Sequence, residues 1–160
     1  MQKVLKALHL LGAIMFFGSI LGHVTVGLIP AAQDDAQVAV VARQAIAVAT
    51  SHLTVPGLVL VILTGMAMVA FGKLPILRLR WLSLHATIAL LIALNAAFVL
   101  YPVGQELLEG TSLAAKGAMP LEQLHSMEQR EAAFGAANLL LCLVTLFVAV
   151  MKPPFGKSRP

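Results

Sequence analysis

The stretch VLKALHLLGAIMFFGSILGHVTVGLIP, Val4 to Pro30, decides the fold. After Lys6 it carries no formal charge, and its only other ionisable groups are His9 and His23. A membrane helix needs about 20 predominantly apolar residues, so this run is long enough to cross a bilayer. It also exceeds the roughly 7–15 apolar residues at the centre of a cleavable signal, which argues against removal. His9 and His23 are fourteen positions apart, which at roughly 100° per residue is four turns less about 40°. The two imidazoles therefore share one helix face, about 21 Å apart along the axis at 1.5 Å per residue. Between them that face carries Gly12, Phe16 and Ser19, at steps of three and four. A small residue beside each imidazole leaves room for a flat group. That stripe is the main functional signal in the chain.

The rest of the composition agrees with a membrane setting. Of the 160 residues, 59% are hydrophobic and only 11% are charged, and the mean hydropathy is +0.92. A soluble domain carries about a quarter charged residues. The expected class is all-α: an integral membrane four-helix bundle, one domain over residues 1–160. The net charge of +4 does not point to nucleic acid, because no basic stripe with interleaved aromatics is present. The single Cys142 excludes an intrachain disulfide and a cysteine-based metal site.

Apolar length predicts spans at about 4–29, 52–71, 81–103 and 132–151. With four spans, Lys3, Lys6, Lys73, Arg78, Arg80, Lys152, Lys157 and Arg159 all fall on one side. Arg43, Lys116 and Arg130 fall on the other, with every side-chain carboxylate: Asp34, Asp35, Glu106, Glu109, Glu122, Glu128 and Glu131. The positive-inside rule then places both termini in the cytoplasm.

Local signals refine this layout. Asp34–Thr50 reads as a helical lead-in to the second span, partly outside the bilayer. Pro56 should kink that helix, because its ring clashes with the carbonyl of His52 four residues back. Thr64-Gly65 marks a close-packed point, and Trp81 and Tyr101 sit near the two ends of the third span as interfacial aromatics do. Gly104–Met119 reads as a polar outer loop with some helical character. Pro120 suits a helix start, with helix four running through Leu121–Arg130 before it enters lipid.

Depth sorts the histidines into two levels. His9 and His85 lie near the cytoplasmic edge; His23 lies near the outer edge, with His52 or His125 as its partner. Two imidazoles facing across a bundle can ligate a haem iron axially, and bundle cofactor sites are built this way. Ionisable residues inside a membrane suggest function by default, although a membrane histidine also serves simply by hydrogen bonding between helices. Met66 shares a face with His52, and with Met68 and Met15 it offers a soft Cu(I) site. Gly18 and Gly22 form a small-xxx-small pair on the face opposite His9 and His23, suited to close packing within the bundle or between protomers. Asn95, and Asn138 with Cys142 and Thr145, form polar edges expected to hydrogen-bond between helices. No serine–histidine–aspartate set, phosphate loop or paired membrane carboxylates appear, so a hydrolase or proton-driven pump is not expected.

Leu8-His9-Leu10-Leu11-Gly12, Thr54-Val55-Pro56-Gly57, Thr64-Gly65, Trp81-Leu82, Pro102 closing helix three and Met151-Lys152-Pro153 after helix four resemble a bacterial family of predicted four-helix membrane proteins of unknown function. The resemblance covers nearly the whole chain. More distantly, Lys6-Ala7-Leu8-His9 and Trp81-Leu82-Ser83-Leu84-His85 are similar to the HemJ-type protoporphyrinogen oxidases and the CopD-type copper-resistance membrane proteins. The former implies haem b binding at His9. Where that family has a functional lysine this chain has His85, which is compatible with a second axial ligand.

The resulting expectation is a protein of the bacterial cytoplasmic (inner) membrane that binds haem b, one or two per chain, for electron transfer or other redox chemistry. His9 and His85 would hold the inner haem and His23 and His52 an outer one, with Gly12, Phe16 and Ser19 lining the porphyrin. Expected partners are membrane lipid, quinone or a partner redox protein, in a homo-oligomer or a larger membrane complex. Copper handling through the methionines and histidines is the alternative cofactor reading. A cofactor-free accessory subunit packing through Gly18 and Gly22 is the third.

Overall fold

The computed structural model describes residues 1–29, 35–76 and 78–153. Pro30, Asp34, Lys157 and Arg159 lie outside them. The described residues form four long helices: α1 (Gln2–Gly27), α2 (Ala36–Gly72), α3 (Arg80–Ala115) and α4 (Leu121–Met151). Each is long and apolar enough to cross a membrane. Their outward faces carry large apolar side chains such as Ile14 (70% exposed) and Phe98 (75%). Water would not tolerate such a continuous apolar surface on a monomer, whereas lipid solvates it.

α1 packs along α2, and α3 along α4. The two pairs meet at Phe16, Ile88 and Ile92, with Ile20, Leu58, Leu141 and Cys142 packed around them. Between helices in lipid the hydrophobic effect contributes little, and close packing of small residues and hydrogen bonds replaces it. The α1–α2 contact illustrates the point. A Cβ on Gly57 would lie 2.7 Å from the Phe16 backbone nitrogen, and one on Gly12 would lie 2.9 Å from that of Val61. The two backbones come this close because neither position carries a side chain.

Three helices outrun a bilayer. At 1.5 Å per residue, helices of 37, 36 and 31 residues measure roughly 45–55 Å, against about 40–45 Å for a bilayer with its headgroup regions. The excess lies at the end rich in carboxylates. Residues 104–119, expected as a polar loop, are largely helix, since α3 runs on through Pro102 to Ala115. Two features make this possible. A wide π-helical turn, Ala96–Leu100, precedes Pro102, so the ring does not collide with a tight helical ladder. Beyond it Val103, Leu107, Gly110 and Thr111 are buried, at steps of four, three and one, which is the stripe of an amphipathic helix. Leu107, at 0% exposure, is among the best-buried side chains of the described residues. It sits where α3 meets the extensions of α2 and α4.

The same device operates in α2. The π-helical turn Thr50–Thr54 stands immediately before Pro56, which falls in the first turn of the following α-helical stretch. The irregularity expected at Pro56 is therefore a widened turn just upstream of it. Helix starts and stops follow local chemistry. Asp35 caps α2 by accepting from the Gln37 (2.8 Å) and Val38 (3.4 Å) backbone N–H groups. Pro120 precedes α4, as its fixed φ suits. Gly117, at φ +70, provides the left-handed residue that turns the chain after α3.

Charge is divided between the ends as the sequence implied. A Cβ on Gly72 would lie 3.2 Å from Gln2 Nε2, so the start of α1 and the end of α2 are neighbours. Lys152 Nζ lies 5.4 Å over the Trp81 ring, joining the end of α4 to the start of α3. Lys3, Lys6, Lys73, Arg78, Arg80 and Lys152 thus belong to one basic end, and the described carboxylates to the opposite one.

Candidate functional site at the histidine levels

At the basic end, α1 delivers His9 against α2. Its Nδ1–H donates to the Val61 carbonyl (3.0 Å), with Thr64 Oγ1 also 3.1 Å away. The Thr64 hydroxyl donates onward to the Leu60 carbonyl, so its oxygen is left to accept from the imidazole. Gly65 completes the seat: a Cβ there would lie 3.3 Å from His9 Cε1. The Thr64-Gly65 point is close-packed because an imidazole lies across it. His85, on α3, donates from Nδ1 to the Thr145 carbonyl of α4 (3.4 Å). Both imidazoles therefore have Nδ1 held by a backbone carbonyl of a neighbouring helix, which in the neutral ring puts the lone pair on Nε2, for which no hydrogen-bond partner stands among the described residues. Beside them Thr145 Oγ1 is buried and has no hydrogen-bond partner among the described residues.

One layer away the seam is apolar, filled by Phe16, Ile88 and Ile92. Beyond it stands the second histidine level, and here the arrangement differs. His23 Nε2 is 3.3 Å from Ser19 Oγ, and Ser19 Oγ is 2.7 Å from Thr54 Oγ1. Thr54 donates to the Ala49 carbonyl (3.5 Å). His23, Ser19 and Thr54 thus form a hydrogen-bonded chain between α1 and α2. His52 is exposed and turned onto its own helix, with Nδ1 3.0 Å from the Val48 carbonyl and 2.9 Å from Ser51 Oγ. Among the described residues no hydrogen bond joins His23 to His52. His125 is exposed and lies 3.8 Å from Glu128.

The Gly12–Phe16–Ser19 face is buried, but the space beside it is filled. Gly12 closes on Gly57 and Val61, and Ser19 bonds to Thr54. The stripe expected to leave room for a flat group is the α1–α2 packing face. Of its members, Phe16 reaches the seam between the helix pairs.

An arrangement absent from the sequence expectations stands above His23. Arg43, on α2, pairs with both Glu128 (3.3 Å) and Glu131 (2.5 Å) of α4, and its side chain is only 15% exposed. Glu128 and Glu131 are three residues apart and so share a helix face. That spacing, opposite the lone arginine of the α2 lead-in, is the sequence signal for the pairing. Asn95 Nδ2 donates to Asn138 Oδ1 (3.1 Å) and to the Phe134 carbonyl (3.2 Å), which meets the expectation of interhelical bonding there.

Met66 is 57% exposed, and Met15 backs the Gly57 contact. A Cβ added to Gly18 or Gly22 would meet nothing within 4 Å, so their face is open and contributes nothing to packing inside the bundle. Among the described residues no group of three or more histidine, cysteine, aspartate or glutamate side chains is clustered as a metal site.

The family described as "Predicted integral membrane protein (DUF2269)" matches residues 3–153. The chain belongs to that family. No match to the chain was found among the curated proteins or the solved structures. The description agrees with four helices long and apolar enough to cross a membrane and bears out the likeness to a membrane family of unknown function. It names no cofactor or reaction.

Proposed function

We propose that this DUF2269 protein is a membrane redox protein that holds one haem b between His9 and His85, with the basic end in the bacterial cytoplasm. The observation that supports it is the shared tethering of the two imidazoles near the basic end. Two imidazoles from opposite helix pairs each have Nδ1 tied to a backbone carbonyl, at Val61 and at Thr145. Metal-binding histidines almost always have their second nitrogen bonded in this way, which fixes the ring and its tautomer. The buried, unpartnered Thr145 Oγ1 adds a polar atom at the same level that the described residues do not satisfy. The donor set fits a bis-imidazole haem, while the Gly12–Ser19 face takes no part because α2 covers it.

A bound haem would supply one-electron chemistry, with its potential set by axial ligands, burial and nearby hydrogen bonds. The chain's own residues do the rest. Val61, Thr64 and Gly65 seat His9; Thr145 orients His85; Phe16, Ile88 and Ile92 exclude water from the seam beyond them. Nothing comparable supports a second haem at His23 and His52, since His23 is bonded to Ser19 and His52 faces outward. Orientation follows from the cations of the basic end through the positive-inside rule. Quinone or a partner redox protein would be the electron donor or acceptor. Among the described residues no observation favours copper.

The test is a dithionite-reduced minus oxidised visible spectrum of the detergent-purified chain from haem-replete cells, with pyridine haemochrome quantification. A sharp b-type α-band at one haem per chain is expected. A colourless protein would end the reading, and two haems per chain would restore the outer site.

A further inference from the structure

The loop between α2 and α3 forms a hollow of about 340 Å³, lined by Leu74, Pro75, Ile76 and Arg78. Its wall is apolar except for one guanidinium. Arg78 is exposed and forms no ion pair or hydrogen bond through its side chain among the described residues. Around it the basic end gathers Lys3, Lys6, Lys73, Arg80 and Lys152. All seven aspartates and glutamates of the sequence belong to 34–35 and 106–131, on connections to the other end of the bundle. The described part of the basic end therefore holds cations and no aspartate or glutamate. An apolar hollow with an arginine at its edge, at the boundary of a lipid-solvated bundle, matches the two halves of a phospholipid. The glycerol and upper acyl carbons would lie on Leu74 and Ile76, and the phosphate would meet the guanidinium, whose fork geometry suits phosphate oxygens. Basic pockets of this kind at membrane interfaces bind anionic head groups.

We propose that the hollow lined by Leu74, Pro75, Ile76 and Arg78 is a binding site for an anionic phospholipid of the leaflet on the basic side, with Arg78 as its phosphate ligand. The proposal is independent of any haem. Phosphate chemistry alone would also admit a soluble phosphate, so the experiment separates the two sources. Native mass spectrometry of the full chain in detergent would be run against dioleoyl phosphatidylglycerol, dioleoyl phosphatidylcholine and glycerol 3-phosphate. Phosphatidylglycerol should bind in preference to phosphatidylcholine, and glycerol 3-phosphate at the same concentration should not compete. Arg78→Gln should weaken phosphatidylglycerol about fivefold, the amount expected for one interfacial cation. Arg78→Lys, which keeps the charge but loses the fork, should bind between the native chain and Arg78→Gln, and Lys116→Gln at the other end should change nothing. Equal binding of the two lipids, undiminished binding in Arg78→Gln, or full competition by glycerol 3-phosphate would overturn the site.

Discussion

Gly12 of α1 and Gly57 of α2 face each other so closely that a Cβ on either would come within 3.0 Å of the other's carbonyl oxygen. The obstructing atoms are mostly backbone, which cannot rotate away as a side chain would. Gly57→Ala should therefore push the helices apart and loosen the seat of His9 one to two turns along. Overpacking of this kind costs about 1–3 kcal/mol. A lowered midpoint for thermal unfolding in detergent would show it. Gly18→Ala, on the open face, should leave the midpoint unchanged, and a matching loss there would mean that the open face is covered in the purified particle.

Arg43 joins α2 to α4 through two carboxylates, and its surroundings are mostly dry. Truncating it as Arg43→Ala leaves Glu131, 27% exposed, without its partner. The loss should lie between that of an exposed pair and that of a buried one, about 1–3 kcal/mol. A double-mutant cycle with Glu131→Gln, read by chemical denaturation in mixed micelles, isolates the pair; zero coupling would reduce it to a surface contact.

The membrane class, the four helices and the division of charge are legible in the sequence because apolar length and charge position are linear properties of a chain. The run from Gly104 to Met119 reads as loop for a physical reason. Pro102 and the nearby glutamates are ordinary loop signals, and only the preceding π-turn and burial against two other helices turn the stretch into helix. The stripe from His9 to His23 does form one face, but periodicity does not say what covers a face. Its small residues could admit a cofactor or a second backbone, and α2 is what lies there. Depth pairs His9 with His85, yet depth alone pairs His23 equally well with His52, whose side chain is turned onto its own helix.

Asn138 is 1% exposed and accepts from Asn95 across the α3–α4 contact. Polar pairs between helices in lipid contribute about 0.6–1.7 kcal/mol. The coupling between Asn95→Ala and Asn138→Ala should fall in that range, measured from unfolding in detergent. Additive losses would show that the two amides act separately, with Asn95 relying on the Phe134 carbonyl.

The proposed haem makes unequal demands on the histidines, and the inequality can be measured. His9→Ala and His85→Ala each remove one of two axial ligands, so each should abolish or severely reduce the b-type α-band. His52→Ala should leave the band unchanged, because its imidazole bonds within α2. Gly65→Val is the finer probe. A Cβ there already meets His9 Cε1 at 3.3 Å, and the added branches would displace the ring while leaving the ligand in place. The expected result is retained haem with a shifted midpoint potential or altered axial-ligand spectrum, read by redox titration and electron paramagnetic resonance. If His9→Ala keeps its full band while His52→Ala loses it, the assignment moves to the opposite end of the bundle. An unshifted spectrum in Gly65→Val would show that His9 is not held by this seat when the haem is bound.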